Sequence, residues 1–360
     1  MLSRLIVRRV VAGFNQQLQQ QQQQLARCKS SASAFEPYFK KFVPRRACLY
    51  VPGSDIAKIE KVRSIDVDAL VLDCEDGVAA TAKDTARSTI AKALNTFEFG
   101  RSDVGVRINS VDSGLAEKDF DEIFQAERLP QTVYLPKVEN VEHVTWLVDH
   151  VNKRLLKTKE ESVKVLNLVL YIESAVGLVN LQQILQHASE LSEISRGIID
   201  AVVFGSDDFT ASIGAQRTKD AQEVLLARQQ IVLMCKAFKI QPIDMVYIDY
   251  KDLEGLRKQA LEGASLGFMG KQVIHPSQVP IVQEAFSPAA EKVEWAKQLI
   301  KEFKEHVAAG KGAFSFRGTM IDMPTVLQAQ NILEFHHVIR NEPLPDEYQV
   351  DPNKEQIVKE

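Results

Sequence analysis

A closed (β/α)₈ barrel of the TIM type is the fold the sequence predicts, and three observations predict it. From residue 45 onward, eight short β-branched runs alternate in series with longer amphipathic stretches. The short runs are almost continuously apolar, as strands of a parallel sheet covered on its outer face should be. Most of them end in a polar or charged residue, and a closed barrel gathers all such ends at the one rim where this fold carries its chemistry. An open doubly wound sheet is the alternative. It usually places a Gly-rich phosphate turn after its first strand, whereas VPGSD follows here, without GxGxxG.

In chain order, the first element is a targeting segment over residues 1–35. It holds Arg4, Arg8, Arg9, Arg27 and Lys29 with no acid, pairs arginines with aliphatic residues in LSRLIVRRVVAGF, and is followed by Ser30, Ser31 and Ser33. Basic, amphipathic and acid-free is the pattern of a mitochondrial transit peptide. Arg8 and Arg9 interrupt the apolar core that a secretory signal needs. Gln19 to Gln24 form a low-complexity tract without packing logic.

The barrel is expected over residues 45–285. Its strands are read at 47–53, 68–76, 103–110, 131–137, 166–174, 200–208, 242–249 and 268–276, with helical patterns between them such as KDTARSTIAKALN and AQEVLLARQQIVLMCKAF. The polar strand ends are Glu75 and Asp76, Arg107, Lys137, Glu173, Asp207 and Asp208, Asp249 and His275. Beyond residue 277 the pattern changes to a long helix, a hairpin over KGAFSFRGTMIDMP and a further helix. This extension, residues 286–340, is too small to promise a core of its own and is expected to pack on the barrel or on a neighbouring subunit. A polar tail occupies 341–360.

Composition narrows the function. Removing the five N-terminal positive charges from the formal net charge of −4 leaves a body of about −9, a poor partner for a phosphate backbone, so nucleic acid is not expected. No apolar run approaches the roughly 20 residues that cross a bilayer, so no membrane span is expected. Cys28, Cys48, Cys74 and Cys235 lack metal-ligand spacing, which implies reduced thiols rather than zinc or disulfides.

Several residues have the chemistry of a site. Glu173 and Asp208 end consecutive strands. Two carboxylates converging there repel one another unless a hard cation such as Mg²⁺ holds both, although either alone suits a helix cap. Arg107 ends a buried strand and suits either a substrate oxyanion or an ion pair with Glu75 or Asp76. Tyr50 precedes Lys58 and Lys61, which lie three apart on one helix face; they suit ligand phosphates or, more commonly, solvent. His275 suits a base, a substrate donor or a pinned structural imidazole. Asp322, among apolar neighbours, suits a tunable acid/base or the N-cap of the helix that begins at Pro324.

The motifs LYVPGSD, VLDCEDGVA, VRINSVDSGLAE, LPKVE, YIESAVGL, VVFGSDDFTASIGA, GKQVIHPSQV and GAFSFRGTMIDMP, in unbroken order over about residues 45–335, resemble the citrate lyase β/malyl-CoA lyase (HpcH/HpaI aldolase) family. The resemblance implies a Mg²⁺-dependent barrel, commonly trimeric, whose extension completes a neighbouring subunit's site. It implies Glu173 and Asp208 as metal ligands, Arg107 as the substrate arginine, and Tyr50, Lys58 and Lys61 in the segment holding coenzyme A. Ile274 and His275 would contact substrate, and Asp322 would be the catalytic acid/base. The implied reaction is cleavage of (3S)-citramalyl-CoA to pyruvate and acetyl-CoA in the mitochondrial matrix. Malate synthase, 2-methylmalate synthase and malyl-CoA thioesterase would be side activities. Malyl-CoA lyase or malate synthase as the main activity, a CoA-independent pyruvate-type aldolase, and a silent CoA-binding scaffold are the alternatives.

Overall fold

Eight parallel strands pair in sequence order and the last closes on the first: β1 (Ala47–Pro52), β2 (Ala69–Asp73), β3 (Asp103–Arg107), β4 (Thr132–Leu135), β5 (Leu166–Ile172), β6 (Gly197–Phe204), β7 (Gln241–Asp244) and β8 (Gly270–Val273). The computed structural model describes residues 42–156, 165–309 and 314–350. The expected targeting segment, with its glutamine tract and Cys28, and the end of the polar tail lie outside the described residues. Among the described residues, no helix is long and apolar enough to cross a membrane.

The connections carry α1 (Ile56–Val62), α2 (Lys83–Thr96), α3 (Ala116–Ile123), α4 (Val141–Leu155), the pair α5 (Ala175–Val179) and α6 (Leu181–Ser192), α7 (Ser206–Ser212) and α8 (Leu225–Ala237), α9 (Leu253–Leu266) and α10 (Val279–Ala285). Two-residue alternation sorts each strand. Leu49 and Val51 of β1, with Leu70 and Leu72 of β2, face the helices and join the large outer core. Cys48, Ala69, Val71, Tyr134, Val169, Tyr171, Ala201, Val203 and Ile243 face inward and fill the barrel, so the interior is a packed core rather than a channel.

The amino end is plugged by charge. Arg45, fully buried, donates from Nε to Asp103 at 2.8 Å, from one terminal nitrogen to Asp200, and from the other to Thr132 at 3.2 Å. This is the arrangement a buried cation needs, because every unpaired charge there carries its full desolvation cost.

The strands stop short of the sequence reading. β2 ends at Asp73, β6 at Phe204, β7 at Asp244 and β8 at Val273. Glu75, Asp76, Asp249 and His275 therefore sit in the connections beyond the strands, and Asp207 and Asp208 in the first turn of α7. The reason is visible at β2: the Asp73 carboxylate accepts from the amides of Glu75 at 2.9 Å and Gly77 at 2.8 Å, drawing the chain out of the ladder into a turn. The ionisable residues still gather at one rim, on loops instead of strand ends.

The extension corrects the sequence reading. α11 (Ala290–Ala308), the antiparallel hairpin β9 (Phe314–Phe316) and β10 (Thr319–Ile321), and α12 (Met323–Val338) enclose a hydrophobic cluster separate from those of the barrel. Val293, Ala296, Leu299, Ile300 and Phe303 recur at helical spacing on one face of α11, meet Val326, Ala329 and Leu333 of α12, and are closed over by Phe314 and Phe316. Two amphipathic faces and a hairpin lid suffice where length alone suggested too little core. Phe42, ahead of the barrel, packs edge-on against Phe335 of α12 with ring centres 6.1 Å apart.

Candidate active site

The carboxyl-terminal rim is organised around Arg107, the last residue of β3. The β2–β3 register sets Asp73 opposite Arg107, and the guanidinium grips it through two parallel bonds, Nε to Oδ1 at 2.7 Å and a terminal nitrogen to Oδ2 at 2.6 Å. Although burial opposes the charge on Asp73, Arg107 and the loop amides hold its carboxyl below the usual range. The other terminal nitrogen lies 2.9 Å from Glu75 and 3.8 Å from Asp76. The guanidinium carbon sits 5.2 Å from the ring centre of Tyr50 and 5.8 Å from that of Tyr171. The hydroxyls of those tyrosines hydrogen-bond each other. Arg107 is thus an ion-paired residue and a rim residue at once, with Asp73 rather than Glu75 or Asp76 as its principal partner.

Glu173 follows β5 and is 6% exposed. One of its oxygens accepts from the Lys137 amide at 2.8 Å. The other lies against Gly205, where any Cβ would collide with the carboxylate, so only glycine fits that position. Burial, with Glu75 and Asp208 adding like charge, raises the Glu173 carboxyl to about 8, against the relief from Arg107. Asp208 reaches the same neighbourhood from the first turn of α7, 3.1 Å from the Lys137 ammonium. Glu173 and Asp208 therefore converge on one residue, one at its amide and the other at its side chain. Arg217 steadies this turn, pairing with the neighbouring Asp207 and donating to the carbonyl of Val246 beyond β7.

A divalent cation fits this donor set. Asp73, Glu75, Asp76, Glu173 and Asp208 bring five formal negative charges to the rim against two positive ones on Arg107 and Lys137. Among the described residues, no group of three or more His, Cys, Asp or Glu side chains is set to hold a metal. Mg²⁺ usually takes one or two carboxylates and completes its octahedron with water and substrate oxygens.

The remaining expected residues are more dispersed. Lys58 and Lys61 are exposed on α1, Lys58 pairing at 3.2 Å with Asp55, the cap of that helix; they hold the solvated face that was the plainer reading. Ile274 stands 43% exposed after β8. His275 acts as a cap, its Nδ1 accepting from the Ser277 amide at 3.2 Å while its ring stacks on Tyr250 with centres 4.8 Å apart. The pinned imidazole is thus what the chain displays.

Asp322 is where the apolar-setting argument fails. The residue is exposed, accepts from the amide and hydroxyl of Thr325 at 3.0 and 2.6 Å, and these bonds lower its pKa. Its flanking residues do not enclose it, because Ile321 turns into the extension's core and Met323 packs against that core.

Two residues at the centre of the rim were not singled out by sequence reasoning. Asp73 was hidden inside VLDCED, where only the strand register distinguishes it from its acidic neighbours. Lys137 was read as one strand end among many. It follows the proline after β4 and adopts the left-handed conformation, φ 55°. A cleft of about 200 Å³, lined by Arg217, Lys219, Tyr247 and Asp249 among others, does not include the acid cluster.

A closed parallel barrel with a buried arginine and converging carboxylates on its carboxyl-terminal loops is an enzyme architecture. The chain belongs to the HpcH/HpaI aldolase/citrate lyase family, whose model matches residues 46–276. It is 49% identical over 316 residues to the mitochondrial citramalyl-CoA lyase of Mus musculus, covering 86% of this chain and 93% of that one. It is 50% identical over 291 residues to the mitochondrial citramalyl-CoA lyase of Homo sapiens, covering 81% and 85%. Among solved structures, CitE from Mycobacterium tuberculosis in complex with magnesium, acetoacetate and coenzyme A superposes with a TM-score of 0.63 at 26% identity, covering 83% of this chain and 99% of that one.

Proposed function

We propose that this chain is a mitochondrial, Mg²⁺-dependent carbon–carbon lyase that cleaves (3S)-citramalyl-CoA to pyruvate and acetyl-CoA, acting in the matrix. Half-identity over most of the chain to relatives named for that activity supports the substrate. The observation that carries the site is the convergence of Glu173 and Asp208 on Lys137 beside Arg107.

Glu173 and Asp208 are the residues that would hold Mg²⁺, which when bound would supply Lewis-acid polarisation to the hydroxyl and carboxylate oxygens of the five-carbon acyl group. As the hydroxyl gives up its proton to solvent and becomes the keto group of pyruvate, the C–C bond breaks and its electron pair passes to the acetyl-CoA enolate, with negative charge on the thioester oxygen. Arg107 is preorganised to donate to it, because Asp73 fixes the guanidinium plane before substrate arrives. Tyr50, locked to Tyr171 beneath that guanidinium, closes the floor. Ile274 and the stacked His275 offer an apolar and aromatic edge to the CoA arm, with Lys58 and Lys61 on the adjoining helix for its phosphates.

The enolate carbon takes its proton from Asp322 of a neighbouring subunit in a homotrimer. The exposed Met320 and Asp322, and the exposed Val176 and Val179 of α5 with Ile213 at the end of α7, are the surfaces offered for that docking. Docked against an acidic mouth, the carboxyl gains the rise in pKa that it lacks in solvent.

Turnover of citramalyl-CoA, malyl-CoA and CoA-free 4-hydroxy-2-oxo acids, compared with Mg²⁺ and with chelator, tests this reading. Citramalyl-CoA is expected to be preferred, and preference for the CoA-free acids overturns it. Mixing inactive Glu173→Ala and Asp322→Ala proteins tests the shared site, since mixed oligomers regain activity only when the two residues act across an interface.

A further inference from the structure

We infer that Lys137 is a built-in counter-cation, holding the two metal-binding carboxylates in place before the metal arrives and yielding Asp208 to it on binding. The inference rests on the metal reading above and deepens it.

Three features meet at this residue. Its ammonium lies 3.1 Å from Glu75 and 3.1 Å from Asp208, with Asp76 at 3.9 Å. Its amide donates to Glu173 at 2.8 Å. Its backbone is left-handed at φ 55°, a conformation that a side-chain-bearing residue keeps only when its surroundings fix it. A lysine serving only as a surface partner needs one acid and an ordinary backbone. Here the left-handed turn directs the amide and the side chain of the same residue to opposite members of the Glu173–Asp208 pair.

The charge count gives the reason. Arg107 is committed to Asp73 and Glu75, which leaves Lys137 as the cation that faces Asp208. A dication and an ammonium repel at the separation of one carboxylate. Metal binding therefore drives Lys137 off Asp208 and leaves it with Glu75 and Asp76. Its side chain is 41% exposed and has room to make that move. The amide bond to Glu173 needs no such shift, so one ligand stays oriented while the other is handed over. The cost of displacing the ammonium weakens metal affinity, and its presence keeps the empty site from flying apart.

Mn²⁺ titration of the full chain by calorimetry, with metal-free melting curves, tests this for wild type, Lys137→Gln and Lys137→Gly. The glycine variant keeps the left-handed turn and the amide while deleting the ammonium. Both variants are expected to bind Mn²⁺ about tenfold more tightly and to melt lower than wild type only when metal-free, the difference closing at saturating Mn²⁺. Tightening of less than threefold, or weaker binding, overturns the inference. Glu173→Gln and Asp208→Asn provide the separate control. If they bind Mn²⁺ as wild type does, the metal reading itself fails; if they lose it while the Lys137 variants show no tightening, only the placeholder role fails.

Discussion

The two ends of the barrel are built from the same residue types and do opposite things with them. At the amino end, Arg45 satisfies Asp103, Asp200 and Thr132 together, and Thr132 in turn donates to Asp103 at 2.7 Å. Both aspartates contact the one guanidinium directly. At the carboxyl end, five acids surround Arg107 and Lys137, and one of them, Glu173, is raised to about 8 by burial and like charge. A buried acid in direct contact with a cation opposes folding less than one without. An acid buried without a matching cation opposes folding when ionised, and it takes up a proton, as Glu173 does, or a cation from outside, which is what makes the mouth a site.

The first way to break the comparison is to unplug the amino end. Arg45→Met leaves Asp103 and Asp200 buried without a cation, and is expected to destabilise the fold by about 3–5 kcal/mol. Chemical denaturation measures this. Where enough folded protein survives, its citramalyl-CoA turnover per folded molecule should match wild type. A loss of turnover out of proportion to folding would show that the two ends are coupled.

Glu173→Gln sharpens the contrast by reversing its sign. Between about pH 4.5, where the unfolded chain releases this proton, and about 8, where the native state does, the native protein holds more protons than the unfolded one. Metal-free wild type should therefore lose stability as pH rises through that window, and the glutamine variant should not. Melting curves at pH 4 and pH 9 are expected to show equal stability at the first and a more stable variant at the second, by on the order of a few kcal/mol. Saturating Mg²⁺ at pH 9 should erase the variant's advantage. A variant less stable than wild type at pH 9 without metal would mean that Glu173 is a satisfied structural acid.

Gly205→Ala tests how tightly the mouth is built. The added methyl must displace the Glu173 carboxylate, so overpacking of about 1–3 kcal/mol is expected together with weakened Mg²⁺ binding. Full affinity with unchanged stability would show that the carboxylate has room to move.

The difference between the ends also explains what was legible in the sequence. Fold class followed from alternation and from apolar strands, which depend on local spacing alone. Glu173, Asp208 and Arg107 stood out because strand ends of a barrel must share a rim. The partner of Arg107 did not, because Asp73, Glu75 and Asp76 are equivalent until the β2–β3 register sets Asp73 opposite. Lys137 was hidden for another reason: its importance lies in a positive φ, a backbone property that no lysine announces. The extension's own core depends on the complementarity of two helix faces, which residue count does not show.

Asp322 marks the smallest expected stability effect and the sharpest functional one. Within its own chain it is an exposed helix cap with a lowered pKa, so geometry and family membership assign it different roles. Asp322→Ala removes both the cap and the carboxyl, and a slightly lower melting temperature with lost turnover cannot separate them. Asp322→Ser does separate them, since serine caps about as well as aspartate but has no carboxyl to exchange a proton. The serine variant is expected to melt like wild type and to be as inactive as the alanine variant, by steady-state assay with citramalyl-CoA. Wild-type turnover by the serine variant would make capping the whole of its role and move the proton donor back to the mouth of the barrel.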